Sequence, residues 1–460
     1  MSASPASPAS STTAAPGRTP VDHRSVLGLA IPIVLANLTQ PILGAVDTAV
    51  AGHLDGPQVL GGVALGSLFF SFVYWGFGFL RMGTTGLVAQ AFGAGDQAGI
   101  RLAVWRALAL AAVLGLLVLA LNGPLIAIAL HLLGGSDAVR ANAQAYAQAR
   151  IWAAPFALAN YAILGYLLGV QRVRLALVLQ AFINVVNIVA VVAYVYRFDG
   201  GVAGIGAATA TADLAGFVLG AIVLLVRRGS GHGLGFGLPT RAAFFERTAL
   251  KRLLVLNRDI FVRTLCLLSA FGWFAHRGAQ QGDATLAANA LLLNFLTFTS
   301  YALDGFAHAA EALVGAAAGA RDRDTFRAAV RVTLQWAVGC SAVFTLVYAL
   351  SGNWIVAQLT DQPAVREMAA RFLPWAAVLP LVSVWGFLLD GVFIGATQTR
   401  TLMIAMAISL AVFLAASFAL AGPLGNHGLW LALSIFMLAR GVTLSLRMPA
   451  LARRIGSAAG

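Results

Sequence analysis

A series of long apolar segments, recurring along nearly the whole sequence, constrains this chain more than any other feature. A helix needs about 20 such residues to cross a hydrocarbon core of roughly 30 Å. Hydrophobic residues make up 60% of the chain and charged residues only 10%, a balance foreign to soluble domains. We therefore predict an all-α integral membrane protein. Its twelve transmembrane helices are expected at residues 28–51, 59–80, 102–131, 144–169, 174–196, 203–226, 258–279, 286–312, 329–350, 368–394, 402–421 and 428–447.

The basic residues, which give the chain a net charge of +13, fall mainly on one side of the predicted membrane. With both termini cytoplasmic, 21 of the 30 lie in the tails and cytoplasmic loops, and three (Arg81, Arg263 and Arg440) stay inside spans. Six lie on the opposite side: Arg140, Arg150, Arg197, Arg277, Arg366 and Arg371. This asymmetry satisfies the positive-inside rule. It predicts a multi-pass protein of the bacterial cytoplasmic (inner) membrane and no nucleic-acid partner.

A Gly-rich and then basic connection at residues 227–255 divides the spans into two sets of six. The predicted lobes are residues 23–226 and 256–448, with a disordered Ser/Ala/Pro-rich tail at 1–22 and a cytoplasmic tail at 449–460. An offset of 226 relates the halves and places Gly52 on Gly278, Gly93 on Gly319, Asp96 on Asp322 and Arg174 on Arg400. Because each half has an even number of spans, we expect a pseudo-two-fold axis along the membrane normal and a cavity between the lobes.

Asp47 is the carboxylate of the first span. An aspartate at the centre of a membrane helix costs roughly 2.5–3.5 kcal/mol, so it should face a cavity or a partner. One interpretation is a structural acceptor that caps a helix break. The other is a proton site, at which gain and loss of a charge shifts the helix between two states. We expect Asn184 and Asn187, three residues apart on span 5, and Asp213 on span 6 to join Asp47 in proton coupling.

The second half carries its own ionisable groups on spans 8 and 10. Asp304, His308 and Glu311 follow i, i+4, i+7 and so share one helix face, and Asp390 lies on span 10. Their spacing matches no recognised zinc pattern, so we predict no metal site. We expect Asp304, Glu311 and Asp390, together with Asn160 of span 4, to line a substrate cavity. A structural role is the alternative for each, and His308 is more simply a packed residue.

Several runs resemble the DinF branch of the multidrug and toxic compound extrusion (MATE) transporters: PILGAVDTAVAGHLDGPQVLGGVALG (41–66), FLRMGTTGLVAQAFGAGD (79–96), LNRDIFVRT (256–264), NFLTFTSYALDGFAHAAEALVGAAAGARD (294–322) and LLDGVFIGATQTR (388–400). The resemblance implies two six-helix lobes in a V and export driven by a proton or sodium gradient. It also implies a hinge at Pro32, fifteen residues before Asp47. Members of the family often carry an acid four residues after the asparagine that Asn187 matches. Val191 stands there, which favours protons over sodium.

The predicted function is therefore multidrug efflux, in which amphipathic or cationic compounds leave in exchange for protons by alternating access. A sodium-coupled exporter and a flippase for lipid-linked precursors are the alternatives. The flippase would be expected to have a basic cavity, whereas the mid-span ionisable groups here are mainly acidic. No catalytic signature indicates an enzyme, and the Gly-rich runs near Gly93 and Gly319 lack the lysine and hydroxyl of a phosphate-binding loop. We expect no cofactor and a monomer in the lipid bilayer, with small molecules and protons as its partners.

Overall fold

The computed structural model describes residues 21–54, 56–226 and 239–456, and this part of the chain is helical with no strand. The helices are α1 (His23–Gly52), α2 (Pro57–Gly76), α3 (Phe79–Gly93), α4 (Gln97–Ala120), α5 (Asn122–Leu133), α6 (Asp137–Ile151), α7 (Ala154–Gly169), α8 (Val173–Val192, with a π-helical end at Ala193–Arg197), α9 (Gly201–Leu225), α10 (Arg241–Phe244), α11 (Arg247–Ala279), α12 (Asp283–Gly319), α13 (Arg323–Leu359), α14 (Pro363–Gly395), α15 (Thr399–Ser445) and α16 (Met448–Gly456). Most of the predicted tail 1–22, residues 227–238 of the predicted linker and residues 457–460 lie outside the described residues.

The predicted twelve transmembrane helices are confirmed, although several of them are interrupted. By length and composition, eight helices or helix pairs of the described chain can cross a membrane, and a ninth is the pair α6 and α7, bent by 59°. The other three are α1, α11 and the second part of α15, which is divided where Gly425 has a non-helical φ of 56°. The spans form two six-helix lobes: an N-lobe of α1–α9 and a C-lobe of α11–α15.

The 226-residue repeat is visible in the helix boundaries as well as in the sequence. The first residues of α2, α4, α6 and α8, at 57, 97, 137 and 173, become the first residues of α12, α13, α14 and α15 when 226 is added. The turns before them repeat too. Paired positions with positive φ are Gly56 (96°) and Gly282 (103°), Gln171 (60°) and Thr397 (52°), and Asp199 (49°) and Gly425 (56°). The two halves therefore share backbone conformation as well as residue types.

The lobes approach most closely where α3 crosses α12. A Cβ atom on Gly93 would overlap the carbonyl of Ala316, and one on Gly319 would overlap the carbonyl of Gln90. Because Ala316 is Gln90 shifted by 226, each contact is the image of the other, as at a two-fold interface. Only glycine lets two backbones come this close. The crossing therefore marks the pseudo-two-fold axis predicted from the repeat.

Cross-lobe hydrogen bonds concentrate toward one end of the bundle. We call it the basic end: α1 begins there, α16 lies there, and it includes the turns at 94–96, 170–172, 320–322 and 396–398. The cross-lobe bonds of the described residues join Asn37 to the carbonyl of Tyr301 (3.1 Å), Trp336 to His23 (3.1 Å), and Gln90 to the carbonyl of Gly395 (3.3 Å), to Thr397 (3.0 Å) and to Arg252 (3.1 Å). They lie between the middle of the bundle and the basic end, so hydrogen bonds hold the two lobes together on that side.

The glycine crossing generates a stability prediction. We expect Gly319→Ala to lower the free energy of unfolding by about 1–3 kcal/mol, because the new methyl group overlaps the opposite backbone. The matched control is Gly339→Ala on α13, where a Cβ meets nothing within 4 Å; this change should stabilise by about 0.5–1 kcal/mol. Thermal unfolding of purified protein in detergent measures both. Equal melting temperatures for the two variants would contradict the close approach.

Candidate functional site

Asp47 lies inside the N-lobe, on α1. Its side chain is 8% exposed, and its Oδ1 atom has no hydrogen-bond partner among the described residues. Two turns earlier on the same helix, the Thr39 hydroxyl accepts a hydrogen bond of 2.6 Å from the Asn184 amide of α8. Gln180 in turn donates to the Asn184 carbonyl oxygen at 3.3 Å. The first span is thus joined to span 5 by a polar contact, while its buried carboxyl group keeps one oxygen free.

The remaining N-lobe residues predicted from the sequence join α7, α8 and α9. Asn187 is fully buried and donates to the Thr209 hydroxyl at 3.0 Å. Asn160, predicted as a cavity residue, is also buried and donates to the backbone carbonyl of Asp213 at 2.9 Å. The side-chain oxygens of both asparagines lack donors within the described structure. The N-lobe interior therefore presents free acceptor oxygens near its two carboxyl groups.

Arg150 is a member of this cluster that sequence reasoning missed. Counting charges placed it on the outer side of the membrane, but it ends α6 just before the 59° bend. Its guanidinium lies 4.5 Å from the ring centre of Phe70 and donates to the Tyr146 hydroxyl at 2.9 Å. Its charge interacts with both Asp47 and Asp213. A residue assigned to the outer side of the membrane is therefore found beside the N-lobe acids, where it supplies a cation.

In the C-lobe, Asp390 lies in a buried ion triad. Its Oδ2 atom accepts hydrogen bonds from Arg263 of α11 and, at 2.7 Å, from Arg440 of α15. The side chains of Asp390, Arg263 and Arg440 are 7%, 9% and 1% exposed respectively. The sequence alone did not indicate a partner for either arginine. A charge within an apolar span indicates that a partner exists, but only the structure identifies it. Asp390 thus meets two cations of its own chain, and its predicted role in substrate binding stays a prediction.

The stripe of ionisable residues on α12 faces a third arginine, Arg81 of α3. Glu311 is 1% exposed, and its Oε2 atom lies 3.9 Å from Nη1 of Arg81. Asp304 and His308 are half-buried, and the charge of Arg81 also acts on both. The predicted shared face is therefore observed, and it is turned toward a cation from the other lobe. No group of three or more His, Cys, Asp or Glu among the described residues could hold a metal ion.

Pro32, the predicted hinge, is half-buried within a continuous α1. A proline lacks the N–H that would bond the carbonyl four residues earlier, here that of Gly28, so the helix is weakened at this point. A cleft of about 440 Å³ borders Gly28 and Leu29 and reaches the turn at 171–175. The cleft leaves room beside the weakened turn. A bend at Pro32 stays a prediction, since α1 is described in one conformation.

Two lobes of membrane-spanning helices, with polar and charged groups inside each, are typical of membrane transport proteins. The family model MatE matches residues 32–195 and 265–419. The chain is 43% identical over 426 residues to DNA damage-inducible protein F of Escherichia coli (strain K12), covering 91% of this chain and 90% of that protein. It therefore belongs to the MATE family, in its DinF branch, as the sequence predicted.

Solved structures show the same fold. A MOP superfamily transporter from Pyrococcus furiosus superposes with a TM-score of 0.85 at 18% identity, covering 96% of this chain and 98% of that one. A multidrug resistance MATE family transporter of the MOP superfamily, solved in an outward-facing conformation, gives a TM-score of 0.85 at 19% identity, covering 95% and 97%. The twelve-helix architecture is thus common to these proteins. The chain is a multi-pass membrane transporter of small molecules.

The ion triad generates a second stability prediction. We expect Asp390→Asn to cost about 3–5 kcal/mol, because it leaves two buried arginines without their counter-charge. Asp361→Asn is the control: Asp361, itself fully exposed, pairs with Arg366 at 2.9 Å, and exposed ion pairs contribute little. Melting temperatures in detergent compare the two variants. Similar small losses for both would show that the triad does not stabilise the C-lobe.

Proposed function

We propose that this transporter is a secondary active antiporter, which exports amphipathic or cationic compounds in exchange for protons by alternating access. The observation that carries the proposal is Asp47, a carboxyl group buried in the first span with one oxygen unpartnered within the described structure. Intramembrane carboxyl groups of this kind are functional by default. A proton from the open side neutralises Asp47, and its release to the other side restores the charge.

Protonation would act on how α1 packs against its neighbours. In the charged form Asp47 attracts Arg150 and favours polar contacts inside the N-lobe. In the neutral form that attraction is lost, and the α1 segment beyond Thr39 is free to repack against α8 and α9. Pro32 supplies a weak point at which the helix can bend. The N-lobe asparagines Asn184 and Asn187, together with Asp213, are proposed to hold the surrounding helices in register during this change.

For the substrate cavity, the structure favours Asp304 among the predicted acids. Asp304 is half-buried on the face of α12 that points to the N-lobe, so an organic cation can reach it. Glu311 and Asp390 are buried and lie beside arginines. Asn160 is buried in the N-lobe, where it contacts Asp213. We therefore propose that Asp304 attracts a cationic substrate and that the others act from behind the cavity wall.

The orientation follows from the distribution of charge. We propose that the basic end is cytoplasmic, because basic residues are retained on that side of a bacterial inner membrane. Since the cross-lobe hydrogen bonds lie toward the basic end, we propose that the cavity between the lobes opens outward; Asp47, near the far end of α1, then lies on its outer half. Such an outward-open state would accept protons from the higher-proton side. We propose that the unit of transport is the monomer, because each monomer contains both lobes.

Sodium coupling is the second candidate. The amide oxygens of Asn160 and Asn187, which have no hydrogen-bond partner in the described part of the chain, favour it, since hard cations prefer oxygen ligands. Val191, fully buried one turn beyond Asn187, places methyl groups where a carboxylate would complete such a site. That residue leaves protons as the first candidate. A flippase for pyrophosphate-linked lipids would need free cations, whereas Arg263 and Arg440 are both engaged by Asp390.

The test is dye efflux from vesicles reconstituted with purified protein and given an imposed pH gradient in sodium-free buffer. We expect Asp47→Asn to reduce gradient-driven efflux to the rate of empty vesicles, because the amide cannot exchange a proton. Asp283→Asn, an exposed acid at the start of α12, is the matched control and should keep wild-type efflux. Wild-type rates in Asp47→Asn would remove the role assigned to Asp47, and efflux only with a sodium gradient would favour the second candidate.

A further inference from the structure

The contact between Arg81 and Glu311 joins the two lobes through charge. Arg81 belongs to α3 of the N-lobe and Glu311 to α12 of the C-lobe. Within the described structure, the other ion pairs lie inside one lobe or involve the short helix α10 and its flank. The positions are not equivalent in the repeat, because Glu311 corresponds to Thr85 and Arg81 to Ala307. The crossing of α3 and α12 is repeated by the pseudo-two-fold axis, but this ion pair is not.

Glu311 is buried, but its carboxylate oxygens lack close hydrogen bonds. It is 1% exposed, and neither of its oxygens has a hydrogen-bond partner among the described residues. The 3.9 Å separation from Arg81 exceeds the roughly 2.7–2.9 Å of a charge-assisted hydrogen bond. Asp390 differs, since one of its oxygens accepts from two arginines. A buried carboxylate without close hydrogen bonds is costly, and a bound proton removes that cost.

Few charges act on Glu311 besides its partner. Arg81 acts from α3 and Asp304 from α12 itself, and Thr85 of α3 is its polar neighbour. Five other helices also pack against α12, and none of them contributes a further charge that acts on Glu311: α1, α7, α11, α13 and α14. Arg263, Asp390 and Arg440 act on Asp304 instead. The protonation state of Glu311 therefore depends mainly on one cation of the opposite lobe, Arg81.

A route for protons follows the stripe on α12. His308, three residues before Glu311, is half-buried, and its Nδ1 atom has no hydrogen-bond partner among the described residues. Asp304 lies one turn further along, also half-buried. Because both side chains are partly exposed, water that enters between the lobes would reach them. A proton can therefore pass from the cavity along one helix face to a carboxyl group at the lobe interface.

We propose that Arg81 and Glu311 form a proton-sensitive clasp between the lobes, with Glu311 as a second proton-carrying group beside Asp47. This inference rests on the proposed proton antiport. When Glu311 is a carboxylate, its attraction to Arg81 holds the lobes together on the side of the basic end. When it takes a proton from cavity water it becomes a neutral acid, and Arg81 turns to Asp304. The proton returns to water on the other side, and the ion pair forms again.

The test measures the separation of the lobes without substrate or gradient. Spin labels are placed at Ala138→Cys and Ala364→Cys, two exposed positions at the end opposite the basic end that the repeat relates. The background replaces Cys266 and Cys340 with alanine and carries Asp47→Asn, so that the remaining pH response is independent of Asp47. We expect the distance distribution to shift between high and low pH. Glu311→Gln should hold the low-pH distribution at every pH, with a change of about fivefold or more in the population ratio at high pH.

Arg81→Gln tests the same clasp from the other lobe, and keeps the experiment decisive if Glu311→Gln does not fold. It should also abolish the pH response, and the double variant should add nothing further. Asp324→Asn, which removes a carboxylate from an exposed ion pair within α13, is the control and should respond as its background does. A normal pH response in Glu311→Gln or Arg81→Gln, or none in the background, overturns the clasp. Failure of dye exchange alone would instead count against the proposed antiport, because the distances require no transport.

Discussion

The structure depends on the pairing of charge inside a medium that contains no water to solvate it. Asp390, Arg263 and Arg440 show this constraint most clearly, because one buried carboxylate joins α11, α14 and α15. Removing one member of such a group leaves an uncompensated charge. The C-lobe triad is therefore a rigid element, whereas the N-lobe keeps acceptor oxygens of Asn160 and Asn187 unfilled within the described residues. Glu311 of the C-lobe also keeps both oxygens unfilled within the described residues, so groups able to change partners occur in both lobes.

The overall fold could be predicted because its two main determinants are local. Apolar segments of spanning length give the number of helices, and the 226-residue offset gives their pairing, so the twelve-helix, two-lobe prediction was confirmed. Interruptions within a span were not predicted. The break at residues 77–78 and the 59° bend after α6 lie inside the predicted spans 59–80 and 144–169. The division of α15 at Gly425, by contrast, falls between the predicted spans 402–421 and 428–447. Hydropathy averaged over a whole span does not report a break inside it.

The residues of the candidate site could be predicted from the sequence, but the residues that they contact could not. Spacing on one helix correctly placed Asp304, His308 and Glu311 on a common face, because i, i+4 and i+7 follow from helix geometry. It could not pair Glu311 with Arg81, since a contact between helices depends on how each is rotated and how far it has shifted along its axis. The partners of Arg150 were missed for the same reason: it was assigned only to the outer side of the membrane, whereas the fold places it against Phe70 and Tyr146 inside the N-lobe.

The reciprocal glycine crossing also bears on the origin of the protein. A contact in which Gly93 meets Ala316 while Gly319 meets Gln90 is what a six-helix ancestor would make with a second copy of itself, before gene fusion joined the two. Backbone packed this tightly admits no side chain, and both halves carry glycine at this position. The ionisable groups faced no such restriction. Duplication thus supplied the scaffold twice, and divergence assigned separate charges to each copy.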